Sequence, residues 1–92
     1  MKVIVKYSAQ LKQAAGVAQE TLEVADGCLA RDAVLKLAAG KSGPLKEMLL
    51  DSVGAPRAHI LLCVNDEQVG WDSGVKLNEG DEIALLSPIS GG

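Results

Sequence analysis

Gly91 and Gly92 close the sequence and form the pattern with the clearest chemical use. With average glycine usage of roughly 7%, a terminal pair arises by chance about once in 200 sequences. Glycine lacks a Cβ, so the pair can thread a channel too narrow for side chains and adopt backbone angles closed to other residues. Extended, the five residues Pro88, Ile89, Ser90, Gly91 and Gly92 reach roughly 17 Å. A free α-carboxyl titrates at about 3.3–3.7, so at neutral pH it is an ionised, weak oxygen nucleophile. The chemistry this suggests is a carboxylate presented to another protein's active site. A frayed, inert terminus is the plain alternative, since chain ends are commonly held loosely.

Other reactive residues offer less. Cys28 and Cys63 are the only cysteines, and two thiols without a secretory signal read as reduced. Cys63 lies in an apolar run and reads as a small buried hydrophobe. Cys28 precedes a helix, where a thiolate could be stabilised, but no base or second thiol is near it in sequence. His59 and Cys63 would share one face of a strand about 13 Å apart, too far to bind one metal ion. Gly40-Lys41-Ser42 imitates the end of a phosphate-binding loop, but the glycine that motif needs is replaced by Leu35, and the triplet closes a helix rather than opening one. Gly70-Trp71-Asp72-Ser73-Gly74 lacks the central serine of a nucleophile elbow. Trp71 reads as a cap on the edge of a sheet.

Composition narrows the partners. The chain has 92 residues, formal net charge −3, 48% hydrophobic residues, no Phe, one Tyr and one Trp. One domain with an aliphatic core is expected. A net negative chain without a basic face argues against nucleic acid and suits docking on a basic protein surface. No long apolar run or signal segment is present, so no membrane role and a cytoplasmic location are expected.

The elements that must position the glycines follow from periodicity. Val3, Val5 and Tyr7 alternate with Lys2, Ile4 and Lys6, which predicts a first strand over 1–7. Ser8 is placed to cap a short helix ending at Gly16. A second strand is predicted over 19–25, with Leu22 and Val24 on one face. Leu29, Ala33 and Leu37 recur at helical spacing up to Gly40. Pro44 opens a short helical piece, Leu45 to Leu50, and 51–58 reads as a loop. His59 to Asn65 is nearly all apolar and predicts an interior strand. A short strand follows over 68–71, then the tight turn Asn78-Glu79-Gly80-Asp81. Glu82 to Ser87 is apolar on both faces, Ile83 and Leu85 against Ala84 and Leu86, and predicts another interior strand. Pro88 ends its ladder where the chain must leave the sheet. The first and last strands are expected side by side in the middle, with helices on one face and the other face open.

The chain resembles the ubiquitin-like sulfur carriers of the β-grasp fold, and most of all the small subunits of molybdopterin synthase. The resemblance is carried by Asn78-Glu79-Gly80-Asp81-Glu82-Ile83-Ala84, an apolar pair, a proline and Gly91-Gly92. Ala9-Gln10-Leu11 with Gly16, the helix over 29–39 and Val64-Asn65 support it. The family commonly has aromatic residues before the proline, where this chain has Leu85-Leu86, and the segment 41–58 is longer than expected. The resemblance implies an α+β, β-grasp (ubiquitin-like) fold: a mixed sheet of four to five strands with helices on one face over 1–87, and a flexible C-terminal tail over 88–92. It also implies that an adenylating enzyme of the ubiquitin-activating type uses ATP on the Gly92 carboxylate, and that a sulfur donor then displaces AMP to leave a thiocarboxylate. A large catalytic subunit would receive the tail, with Leu86, Pro88, Ile89 and Ser90 lining the interface and Gly91 beside the reacting Gly92. No cofactor or metal is expected on this chain. A carrier for thiamine, tRNA thiolation or cysteine, and a protein modifier joined to lysines, remain open.

Overall fold

A computed structural model describes residues 1–87. Pro88, Ile89, Ser90, Gly91 and Gly92, and with them the tail and its boundary, lie outside the described residues.

Eight elements follow one another: β1 (Lys2–Tyr7), α1 (Ala9–Ala15), β2 (Gln19–Glu23), α2 (Ala30–Ala39), α3 (Pro44–Leu49), β3 (Leu61–Val64), β4 (Glu67–Val69) and β5 (Glu82–Leu86). The strands form one five-stranded sheet in the order β2-β1-β5-β3-β4. β1 pairs antiparallel with β2 and parallel with β5, and β3 pairs antiparallel with both β5 and β4. The first and last strands are therefore central neighbours, as the sequence predicts. This is the β-grasp, ubiquitin-like arrangement, an α+β fold with its helices on one face.

Alternation decides which residues meet the helices. Val3, Val5 and Tyr7 of β1, Ile83 and Leu85 of β5, and Leu62 and Val64 of β3 are all buried. Against them α2 presents Ala30, Ala33, Val34, Leu37 and Ala38, while α1 adds Leu11 and α3 adds Leu45 and Leu49. The core is aliphatic apart from Tyr7, and no polar or charged residue among the described residues is fully buried. Gly16 closes α1 in the left-handed region at φ 79°, its N–H donating to the Lys12 carbonyl at 3.0 Å. Asn65 and Asp66, both at positive φ (50° and 68°), make the two-residue turn between β3 and β4, the primed geometry that matches strand twist.

Three local expectations shift. Ser8 occupies the N-cap of α1 without capping it; its hydroxyl donates instead to the Leu85 carbonyl of β5. His59 falls before β3, exposed on a turn closed by Ile60 N–H donating to Arg57 O at 3.1 Å. β4 begins at Glu67 and ends before Trp71, because the tight Asn65-Asp66 turn lets pairing start at once. Trp71 is half-buried and its Nε1 donates to Ile60 O at 2.9 Å, tying the end of this hairpin to the start of β3.

A carboxylate anchors the longer segment to the sheet. Glu20 of β2 accepts from the Tyr7 hydroxyl at 2.7 Å and from Lys41 Nζ at 3.0 Å. Burial pushes the Glu20 carboxyl up, but the hydrogen bonds from Tyr7 and Lys41 and the Lys41 charge outweigh it and hold it below its ordinary value. A depressed carboxyl stabilises the fold above its unfolded value, and that contribution is lost as pH falls through the folded value. The melting temperature of the parent chain is therefore expected to fall more steeply than that of Glu20→Gln between about pH 5 and pH 3; parallel curves would contradict the anchor. In urea denaturation at neutral pH, Leu37→Ala is expected to cost about 2–5 kcal/mol through the cavity it leaves.

Candidate functional site

The candidate site is the root of the tail, so what matters is how firmly β5 is held and what surrounds its last residues. Its start is clamped. Asp81 Oδ1 accepts from Asn65 Nδ2 at 3.0 Å, and Asp81 Oδ2 accepts from the Asn78 N–H at 2.8 Å. Asn65 Oδ1 in turn accepts from the Glu82 N–H at 3.0 Å. Gly80, at φ 83°, lets the turn tighten so that its N–H donates to Lys2 O at 2.8 Å. The most specific internal motif of the sequence, Asn78-Glu79-Gly80-Asp81, and the separate Val64-Asn65 are thus two halves of one structural clamp. Neither places a reactive group at a site.

The ladder then carries β5 through the centre of the sheet. On one side Tyr7 of β1 is in register with Leu85; on the other, Leu61 of β3 is in register with Leu86. Strands alternate faces, and Ile83 and Leu85 are buried under the helices. Glu82, Ala84 and Leu86 therefore face the open side. Across the ladder Leu61 and Cys63 of β3, and Ile4 and Lys6 of β1, share that side. Leu86, Ala84, Leu61, Cys63 and Ile4 are all half-buried. Lys6 and Glu82 form an ion pair beside them, and the Lys6 ammonium is held above its ordinary value by the hydrogen bond and the charge of Glu82. The result is an apolar strip on a bare sheet face, leading to the point where the tail begins.

Of the sequence candidates, the structure places Leu86 on this strip; Pro88, Ile89, Ser90, Gly91 and Gly92 lie outside the described residues. Sequence reasoning places Leu61 and Cys63 in an interior strand and assigns neither to an interface. The signal that marks them is the apolar second face of both interior strands when every helix lies on the first. Cys28 is apart from the strip, at the start of α2, and its Sγ donates to Leu29 O at 3.4 Å. Burial and the nearby Asp32 carboxylate push its thiol up against the opposing pull of Lys36, which leaves it a poor nucleophile. His59 is exposed. Among the described residues no group of three His, Cys, Asp or Glu side chains is placed to hold a metal ion, and no helix is long and apolar enough to cross a membrane.

Comparison with known proteins agrees with this geometry. A family profile described as the ThiS family matches residues 5–92. The molybdopterin synthase sulfur carrier subunit of Chlamydomonas reinhardtii is 32% identical over 92 residues, covering 100% of both chains. Among solved structures, SAMP1 (small archaeal modifier protein 1) of Haloferax volcanii superposes with a TM-score of 0.84 at 28% identity, covering 100% of each chain. A chain from the complex of subunits 1 and 2 of the molybdopterin-converting factor of Helicobacter pylori superposes with a TM-score of 0.67 at 24% identity, again over 100% of each chain, and shows the same fold.

The two-faced reading of β5 has a direct test in adjacent leucines. Leu85→Ala is expected to cost about 2–5 kcal/mol by chemical denaturation, because it opens a cavity in the core. Leu86→Ala is expected to cost less than about 1 kcal/mol, because the side chain lies on the uncovered face. Equal costs would show that the faces are misassigned.

Proposed function

The chain belongs to the ThiS family and is a sulfur carrier of that type, and from that premise we propose that Gly92 is its reacting residue, in molybdopterin synthesis. The observation that carries the proposal is the family match running to residue 92, through both glycines. It is joined by a relative named as a molybdopterin synthase subunit that aligns over its whole length.

The chemistry follows from the carboxylate. Its oxygen is a poor leaving group, so a sulfur nucleophile cannot displace it directly. Attack of the Gly92 carboxylate on the α-phosphorus of ATP releases pyrophosphate and makes a mixed anhydride with AMP. A sulfide-level sulfur nucleophile then attacks the acyl carbon, the acyl–oxygen bond to AMP breaks, and AMP departs with that oxygen. The thiocarboxylate that results carries the sulfur to the pterin precursor. ATP belongs to the adenylating partner's site, and this chain binds no cofactor in the reading. Catalytic acids and bases are also left to the partners, which must surround the acyl carbon closely; Gly91 and Gly92 present no side chain to obstruct them.

The open sheet face supplies the docking surface. Leu86, with Leu61, Ala84 and Cys63 beside it, offers the apolar strip, and Pro88, Ile89 and Ser90 are assigned to the groove of a large catalytic subunit on residue type. The Helicobacter pylori chain of this fold comes from a complex of subunits 1 and 2 of the molybdopterin-converting factor. Neither nucleic acid nor membrane has a part, and a cytoplasmic location goes with the reading. A second reading has its own support: the SAMP1 structure is named as a protein modifier. Its distinguishing product is an isopeptide between Gly92 and target lysines, visible as high-mass conjugates in cells.

Deleting Gly92 is expected to abolish ATP–pyrophosphate exchange with the adenylating enzyme of the same cell. The melting temperature should stay within about 2 °C, since every buried core residue among the described residues lies at or before Leu85. Full exchange by the truncated chain would overturn the proposal, and equal loss of exchange and stability would contradict the division between body and tail.

A further inference from the structure

Two opposite charges lie within the apolar strip rather than beyond it. In the register of the parallel pair, Lys6 stands beside Ala84, and Ile4 stands beside Glu82. The charged residues thus sit on a diagonal, each next to a half-buried apolar neighbour on the open face. Their side chains form an ion pair, yet they remain 46% and 44% exposed. Asp66, on the turn beyond β3, adds to the pull of Glu82 on the Lys6 ammonium.

Neither end of the pair is saturated. An ammonium has three donors, and a carboxylate has two oxygens with roughly four acceptor positions. Among the described residues, Glu82 is the one carboxylate in an ion pair with Lys6, and Lys6 the one cation in an ion pair with Glu82. Solvent meets the remaining donors and acceptors while the face is bare. Covering the strip changes that. A surface packed on Ile4, Ala84 and Leu86 also takes water from the charges between them. A polar group that loses water without gaining a partner costs free energy, and a charged group costs more. The cover must therefore bring an acceptor to Lys6 and a donor to Glu82, in that order across the strands. Aliphatic side chains alone can be covered in several registers; an ordered pair of charges favours one, because like charges set against each other repel.

We infer that the Lys6–Glu82 pair is the specificity element of the docking face, and that it fits a protein partner with a carboxylate over Lys6 and a basic side chain over Glu82, on either side of an apolar ridge. The inference rests on the proposed docking of the large catalytic subunit at this face, and names the charges that subunit carries there. The chain's net charge of −3 attracts any basic surface. The pair decides how such a surface is turned.

The test exchanges the two residues, Lys6→Glu together with Glu82→Lys. The exchange keeps the net charge, the ion pair and every apolar side chain of the strip, and reverses only the order of charge. Binding to the large subunit of the same cell is measured by titration calorimetry at about 50 mM and about 500 mM salt. At the lower salt the dissociation constant of the exchanged chain should rise at least about tenfold. At the higher salt the gap should narrow, and the melting temperature should stay within about 2 °C of the parent. Equal affinities overturn the inference, as does a gap that salt leaves untouched or a loss that follows stability. A second copy of this chain is the other candidate cover, and the exchange separates it. Both copies reverse together, so self-association through this face, read by sedimentation, would survive; self-association in place of binding to the large subunit overturns the inference. A parent chain that binds no large subunit defeats the proposed partner itself and the inference with it, a result distinct from equal binding by both chains.

Discussion

Everything in this molecule depends on the parallel pairing of β1 with β5. It joins the first strand to the last across almost the whole sequence, Ile4 to Glu82 and Tyr7 to Leu85. Such a pair cannot be linked by a tight turn; it needs a crossover, and all the helices and the β3–β4 hairpin lie within that crossover. The same pairing leaves β5 with a neighbour on each side, β1 and β3. A strand bonded on both sides belongs to the most stable part of a fold. The chain beyond Leu86 therefore starts from a fixed base.

β5 also divides stability from recognition by the alternation of its own side chains. Ile83 and Leu85 belong to the core with Val5, Tyr7, Leu62 and Val64. Ala84 and Leu86 belong to the uncovered face with Leu61 and Cys63. One strand of five residues thus contributes to holding the domain together and, in the proposed reading, to meeting the partner. The Lys6–Glu82 ion pair lies on the same open face. An exposed pair of this kind contributes little to folding but adds direction to a contact that apolar side chains alone would leave slippery.

Much of this was legible in the sequence, for reasons that differ by element. Alternation in Val3, Val5 and Tyr7 and helical spacing in Leu29, Ala33 and Leu37 reflect burial on one face, which period alone reveals. The central place of β5 follows from its two apolar faces, and the expectation of helices on one face alone leaves its second face bare, as the structure has it. Local pattern reports that a face is apolar, not what covers it. The clamp between Asn65 and Asp81 joins residues 16 positions apart, and no local rule connects them. Ser8 fits a cap by residue type and by position. Its actual partner, Leu85, is fixed by strand register, which sequence alone does not supply. The reading of Gly91 and Gly92 as chemistry rests on residue type alone, since both lie outside the described residues.

The central claim is that Gly92 carries sulfur, and its most direct test is tandem mass spectrometry of the C-terminal peptide from chain purified out of sulfur-replete cells that contain the adenylating partner. The account expects a fraction of that peptide to carry one sulfur in place of one oxygen, localised to Gly92. A terminal carboxylate in every molecule, or sulfur found only on Cys28 or Cys63, would contradict it.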